Sequence, residues 1–389
     1  MKEFKWADRV ERIDPFRVME LMERAQQLQH QGVDIVHLEV GEPDFVTAAP
    51  IMKAGQRALE QGRTGYTSAT GLLELRDKIS QYYLQKYNLK VGSDRVILTS
   101  GASGALMLAT ALLVNPGDGV LLADPGYPCN RHFVELMGGQ PQAIKVDVED
   151  GFQINLQQLE QCWSPDTRGI MLASPANPTG RVLDKKLLQD IVSFVDERNG
   201  YIIMDEIYHG LSYEAEEVSV LEISNDAFVI NSFSKYFGMT GWRLGWMIVP
   251  EQAVESVTKM AQNFYIAPPT ISQHAALAAF SDESIEILEQ RRFIFQQRRD
   301  FLFPRLQDLG FIIPDCPEGA FYLYANIKNF SAGSERFCNE LLAATGVAVT
   351  PGTDFGKYKS NEHIRFAYTT GIEQLEKAVY RIEKFVNKP

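Results

Sequence analysis

RVILTSGASGALMLATALLVNPGDGVLLADPGYPCNRHFVELM, residues 95–137, decides the fold class. RVILTS (95–100) and VLLAD (120–124) are short, nearly all-apolar runs, and each leads into a segment of helical character, SGALMLATALL and CNRHFVELM. Strands that are apolar on both sides belong to a sheet buried on both faces, with the intervening helices as its covering layers. The alternation continues through AIKVD (143–147), GIMLAS (169–174), YIIMDE (201–206), FVINSF (228–233) and LGWMIV (244–249). This is the pattern of an α/β protein with a mostly parallel, doubly wound sheet.

Ligands of such sheets bind beyond the carboxyl ends of the strands. The chain places its small and polar residues there. Gly101 to Ser103 follow RVILTS, Tyr127 follows VLLAD, Asn177 follows GIMLAS, Asp205 closes YIIMDE and Lys235 follows FVINSF. Five loops therefore converge on one crevice. From SIEILEQRRFIFQQRRDFLFPRLQDL (284–309) onward the character changes, and FIIPD, GAFYLYANI and HIRFAYTT alternate as antiparallel strands do. The expected division is a large domain over residues 46–285 and a smaller α+β domain from 286–389, joined by residues 1–45, which cover the site.

At 389 residues the chain exceeds the length at which one core keeps growing, in line with two domains. The net charge of −12 argues against a nucleic-acid or anionic-membrane binder, whose footprint would be basic. Cys129, Cys162, Cys316 and Cys338 stand far apart with no CxxC pair, which disfavours a structural metal site or a disulfide framework. The charged opening MKEFKWADRVERIDPF lacks the apolar core of a secretory signal, and ALMLATALLV (105–114) is too short to span a bilayer. These features together predict a cytoplasmic protein of enzyme size with no bound metal.

The chemistry of the converging loops starts with an anion. SGASGAL (100–106) sets small residues at a strand-to-helix turn, where free backbone N–H groups and the helix dipole favour negative charge. It matches neither GxGxxG nor a Walker loop, so a dinucleotide or nucleoside triphosphate is not indicated. Asp205 ends an apolar strand with Tyr208 three residues on, and a buried carboxylate there would hold a protonated ring nitrogen. Lys235 sits in NSFSKYFGMTGWRLGW (231–246), among small and apolar residues with Ser232, Ser234 and Arg243 around it. A desolvated lysine loses its proton readily, and the neutral amine condenses with aldehydes.

SFSKYFGMTGWRLGW closely resembles the cofactor-lysine segment of the class I/II aminotransferases of fold type I, which use pyridoxal 5′-phosphate (PLP). SPANPTG (174–180), DEIY (205–208), GEPDF (41–45), GYTSATGLLELR (65–76), GAFY (319–322) and HIRFAY (363–368) resemble the family in the same order and spacing. The resemblance implies that Lys235 carries PLP through an imine and then moves the substrate α-proton. It implies that Asp205 pairs with the pyridine nitrogen, that Asn177 and Tyr208 bond the ring oxygen, and that Tyr127 stacks on the ring. The phosphate would lie on the Ala102 and Ser103 backbone, on Ser232, Ser234 or both, and on Arg243. Tyr66 would reach it from a second subunit, implying a homodimer with shared sites. Arg365 would grip the substrate carboxylate, helped by Asn177 and the Gly41 backbone.

Two positions depart from the pattern. Some bacterial aspartate aminotransferases of this subgroup carry a lysine where this chain has Ser103, and a serine near Phe16; the lysine serves the substrate's distal carboxylate. Replacing a cation and gaining an aromatic ring disfavours aspartate, because a carboxylate would be desolvated without a partner. The expected donors are neutral or hydrophobic amino acids, with 2-oxoglutarate or pyruvate as acceptor. Aspartate aminotransferase and a PLP-dependent C–S β-lyase stand as alternatives on the same residues.

Overall fold

Twelve strands run through the computed structural model, which describes residues 4–387. They are β1 (Val36–His37), β2 (Val96–Thr99), β3 (Gly119–Asp124), β4 (Gln140–Lys145), β5 (Thr167–Ala173) and β6 (Tyr201–Asp205). The remainder are β7 (Phe228–Ser232), β8 (Gly245–Ile248), β9 (Tyr322–Asn326), β10 (Val347–Ala348), β11 (Thr350–Pro351) and β12 (His363–Ala367). Seven of them form the central sheet in the order β2-β8-β7-β6-β5-β3-β4. β8 alone runs antiparallel to its neighbours β2 and β7; every other pairing is parallel. β2, β7 and β8 are buried at every position, as expected of a sheet covered by helices on each side.

The covering helices show why these segments fold as they do. The helix Lys185–Asp196 buries Leu188, Ile191, Val192 and Val195, the spacing of one helical stripe, and the Asp184 carboxylate caps its start by accepting from the Leu187 N–H at 2.8 Å. The helix Gly101–Leu113 is apolar nearly all round and is wedged against the sheet, yet no side chain caps its start. That end faces the crevice instead.

A smaller α+β unit stands beside the sheet. β9, β12 and β11 form an antiparallel sheet, and β1 pairs in parallel with β10, so the N-terminal segment is bound into the C-terminal part of the chain. The long helix Asp282–Asp308 supports it, and Arg298 forks onto both carboxylate oxygens of Asp44 at 2.7 and 2.8 Å, tying the GEPDF turn to that helix. The helix Arg17–His30 has no cap of its own; Asp354, distant in sequence, accepts from its first N–H groups at 3.0 and 3.4 Å. This contact fixes Phe16 at the mouth of the crevice.

Two local expectations are corrected. The strand expected over 143–147 lies at Gln140–Lys145, where Ile144 is the one buried residue. It is the edge strand of the sheet, and an edge tolerates Pro141 and carries a weak apolar signal. FIIPD contributes a single bridge, Ile312 to Asn326, rather than a strand, because Pro314 interrupts further pairing. The four cysteines are free thiols, and among the described residues no helix is long and apolar enough to cross a membrane.

Candidate active site

Register brings the strand ends to one level. Asp205 on β6 lies between Ala173 on β5 and Ile230 on β7, and Gly245 on β8 lies between Ser232 and Thr99. Beyond these ends opens a cavity of about 380 Å³. Gly41, Ala102, Ser103, Tyr127, Asn177, Asp205, Tyr208, Ser232, Ser234, Lys235, Arg243, Arg365 and Phe16 all line it, so thirteen residues singled out in the sequence meet in one place. Tyr66 does not; it stands 83% exposed, outside that lining.

The anion end is built by close approach. Gly245 passes under the start of the helix Gly101–Leu113, where a Cβ would come within 2.7 Å of the Gly101 carbonyl carbon and 2.9 Å of the Ala102 nitrogen. Ser232 donates to Ser234 Oγ at 2.9 Å, and Arg243, held in a left-handed conformation at φ 54°, donates to the Thr240 carbonyl at 3.1 Å. Arg243 has no carboxylate partner among the described residues. Uncapped amides, two hydroxyls and an unpaired guanidinium together make a seat for a dianion.

In the middle of the cavity Lys235 Nζ donates to the Gly41 carbonyl at 2.5 Å. Burial, with Arg365 and Arg243 near, pulls its amine down from 10.5 to about 8, against the pull of Glu42 and Asp205. Burial likewise pushes the Asp205 carboxyl up to about 7, although the Ile207 N–H at 3.0 Å and Lys235 favour its charged form. A buried carboxylate this reluctant to ionise has room for a cationic hydrogen-bond donor. Tyr208 lies with its hydroxyl 2.7 Å from that of Tyr322.

Arg365, 4% exposed, is held from four sides. Nη1 donates to Asn177 Oδ1 at 2.9 Å, Nη2 donates to the Glu39 carbonyl at 2.6 Å, and the rings of Tyr322 and Phe355 sit 4.3 and 4.8 Å from its guanidinium carbon. Nε is buried with no partner, which leaves the guanidinium short of an acceptor. Asn177, which lines the cavity, spends its carbonyl on Arg365 and so keeps its amide N–H groups as donors. The roof is apolar: Phe16 meets the Tyr127 ring edge-on at 6.4 Å, and Val18, Met19 and Leu106 complete it.

The family model of class I and II aminotransferases matches residues 33–382. The chain belongs to that family. It is 38% identical to the (5-formylfuran-3-yl)methyl phosphate transaminase of Methanocaldococcus jannaschii, over 96% of this chain and 98% of that protein. It is 37% identical to the valine–pyruvate aminotransferase of Mycobacterium tuberculosis, over 95% and 96% of the two chains. The solved aspartate aminotransferase of Thermus thermophilus with maleate shares its fold at a TM-score of 0.94, with 32% identity over 98% of this chain and 100% of that one. Class I and II aminotransferases depend on PLP, and the cavity suits that group: an anion seat, a lone buried carboxylate and a weakly basic lysine all line it.

Tyr322 lines the cavity of this aminotransferase although nothing in the sequence beyond its place at the end of GAFY (319–322) marks it as a site residue. Its place on the cavity wall comes from β9, a strand of the smaller sheet. His209, next to Tyr208, lies outside the cavity lining, 3% exposed, with Nδ1 2.7 Å from the Tyr87 hydroxyl. Burial drops its ring to about 4, so it stays neutral near pH 7 and serves the interior.

Proposed function

We propose that this PLP-dependent aminotransferase moves amino groups between L-amino acids with neutral or hydrophobic side chains and a 2-oxo acid such as 2-oxoglutarate or pyruvate. One observation carries the reading. The cations lining the cavity are Lys235, Arg243 and Arg365, and each is already engaged, by the cofactor attachment, the phosphate and the α-carboxylate in turn; the rest of the lining, Phe16, Val18, Met19 and the Ser103 side chain among it, adds no further cation. A distal carboxylate would lose its water there and gain no counter-charge. The relative named for valine and pyruvate supports substrates of this class.

In this reading Ala102 and Ser103 N–H groups, Ser232, Ser234 and Arg243 would hold the cofactor phosphate, Tyr127 would pack on the ring, Asp205 would pair with its nitrogen, and Asn177 and Tyr208 would donate to its ring oxygen. When bound, PLP supplies an electron sink for the pair left as the α-C–H bond breaks. Lys235 Nζ takes the proton from the substrate α-carbon, a task suited to an amine that titrates near neutrality. Arg365 and the Asn177 amide orient the α-carboxylate so that this bond faces the lysine. Phe16 and its neighbours exclude water from the roof. Residues 46–285 form the unit that holds the cofactor, and 1–45 with 286–389 form the unit that carries Arg365. A second copy of the chain brings its Tyr66 to the phosphate, and four free thiols suit the cytoplasm.

A donor panel tests the substrate class. kcat/KM for leucine, phenylalanine and alanine is expected to exceed that for aspartate by at least about tenfold, one unpaired carboxylate's worth of transition-state binding. Ser103→Lys combined with Phe16→Ser should move the ratio toward aspartate. A wild-type preference for aspartate would overturn the assignment, and pyruvate and ammonia released without any oxo acid added would mark a C–S β-lyase instead.

A further inference from the structure

Tyr322 opens β9 and is 1% exposed, yet its side chain reaches the cavity wall. Its hydroxyl lies 2.7 Å from that of Tyr208, and this is the hydrogen bond it makes among the described residues. The Arg365 guanidinium lies over its ring at 4.3 Å. On the other side the hydroxyl is so close to the backbone that a Cβ at Gly41 would overlap it. One phenol thus touches Tyr208, Arg365 and the turn whose carbonyl receives Lys235 Nζ.

A phenol has one proton to give. Of the two hydroxyls, only one can donate to the other. Either phenol could donate to the other and both line the cavity, but with a guanidinium over its ring face and Gly41 packed against its hydroxyl, Tyr322 has Tyr208 Oη as its one acceptor among the described residues. The Tyr208 proton has another, the cavity itself. Were the direction reversed, Tyr208 would show only lone pairs to the cavity, and it would repel the ring oxygen that it is read as serving.

We propose that Tyr322 is a positioning residue that directs the Tyr208 proton into the cavity and, by donating to Tyr208, makes it the stronger donor. Hydrogen bonds in such a chain polarise one another. The inference rests on the reading of Tyr208 as donor to the cofactor's ring oxygen. Arg365, Asp205 and Lys235 are charged groups around the pair, and all three remain in the variant that removes the Tyr322 oxygen alone.

Tyr322→Phe keeps the ring that covers Arg365. The test is a spectroscopic pH titration of the visible band of the PLP-loaded protein, for wild type, Tyr322→Phe, Tyr208→Phe and the double variant. A stronger donor at the ring oxygen lowers the pH at which the band changes, so Tyr322→Phe should raise that midpoint by about 0.5–1 pH unit. Tyr208→Phe should raise it further, and the double variant should match Tyr208→Phe. KM for the amino donor should stay within about twofold, since Arg365 keeps its partners, while kcat falls severalfold. An unmoved midpoint in Tyr322→Phe, or an equal shift added on top of Tyr208→Phe, would overturn the inference while leaving the cofactor reading intact. A wild-type protein with no titrating visible band would overturn both.

Discussion

Lys235→Ala will leave a folded protein whose transamination rate is at least ~10⁴-fold below wild type, because the residue's proton transfer and its attachment of the cofactor are lost together. Folding survives for a reason visible in the site. Lys235 makes one hydrogen bond, to the Gly41 carbonyl, and its amine is held near 8 by burial and by Arg365 rather than by any ion pair. The variant also has a pH signature. A lysine whose folded pKa lies below its unfolded value destabilises the cofactor-free protein fully below about pH 8, and that penalty fades as the pH rises through 10.5. Removing the amine should therefore favour the variant most near pH 7. The stability difference should shrink by about 2–3 kcal/mol by pH 10.5, a figure kept below the full shift because the side chain is partly open to the cavity. Equilibrium denaturation of both proteins at several pH values measures it, and a pH-independent difference would show that the amine is not held down.

Arg365→Gln should lower kcat/KM by roughly 10²–10⁴, equivalent to about 3–5 kcal/mol for breaking a buried charge pair. The loss should be nearly the same for leucine, phenylalanine and alanine, since the α-carboxylate is common to all of them. Glutamine can still donate to Asn177 Oδ1 or the Glu39 carbonyl, so the interior keeps a partner for one of these acceptors. The PLP absorption band should be retained, which separates lost substrate binding from lost cofactor. Arg365→Lys should recover little, because a point charge cannot replace a planar fork clamped between two rings. Steady-state kinetics on the three donors decide the matter.

How far the site could be read from the chain depends on the range of each contact. Asp205, Asn177, Tyr127 and Lys235 were legible because each directly follows an apolar strand, and a parallel sheet delivers all its strand ends to one edge. Arg365 was legible as a cation flanked by the apolar Ile364 and Phe366. The reversal of β8 was not, since a buried antiparallel strand and a buried parallel one have the same composition. Nor was the Tyr208–Tyr322 bond, which joins the turn after β6 to β9 across 114 positions, or the cap that Asp354 lends to Arg17 across 337. Such pairs have no local period to betray them. Ser103 and Phe16 lay between these cases: their side chains were plain, but their shared cavity had to be built before the apolar roof became visible.

The account depends above all on Lys235 being the residue that joins the cofactor. Wild-type protein loaded with PLP, reduced with borohydride, digested and mapped by mass spectrometry should carry a single pyridoxyl label on Lys235. A label on another lysine, or none at all, would contradict it.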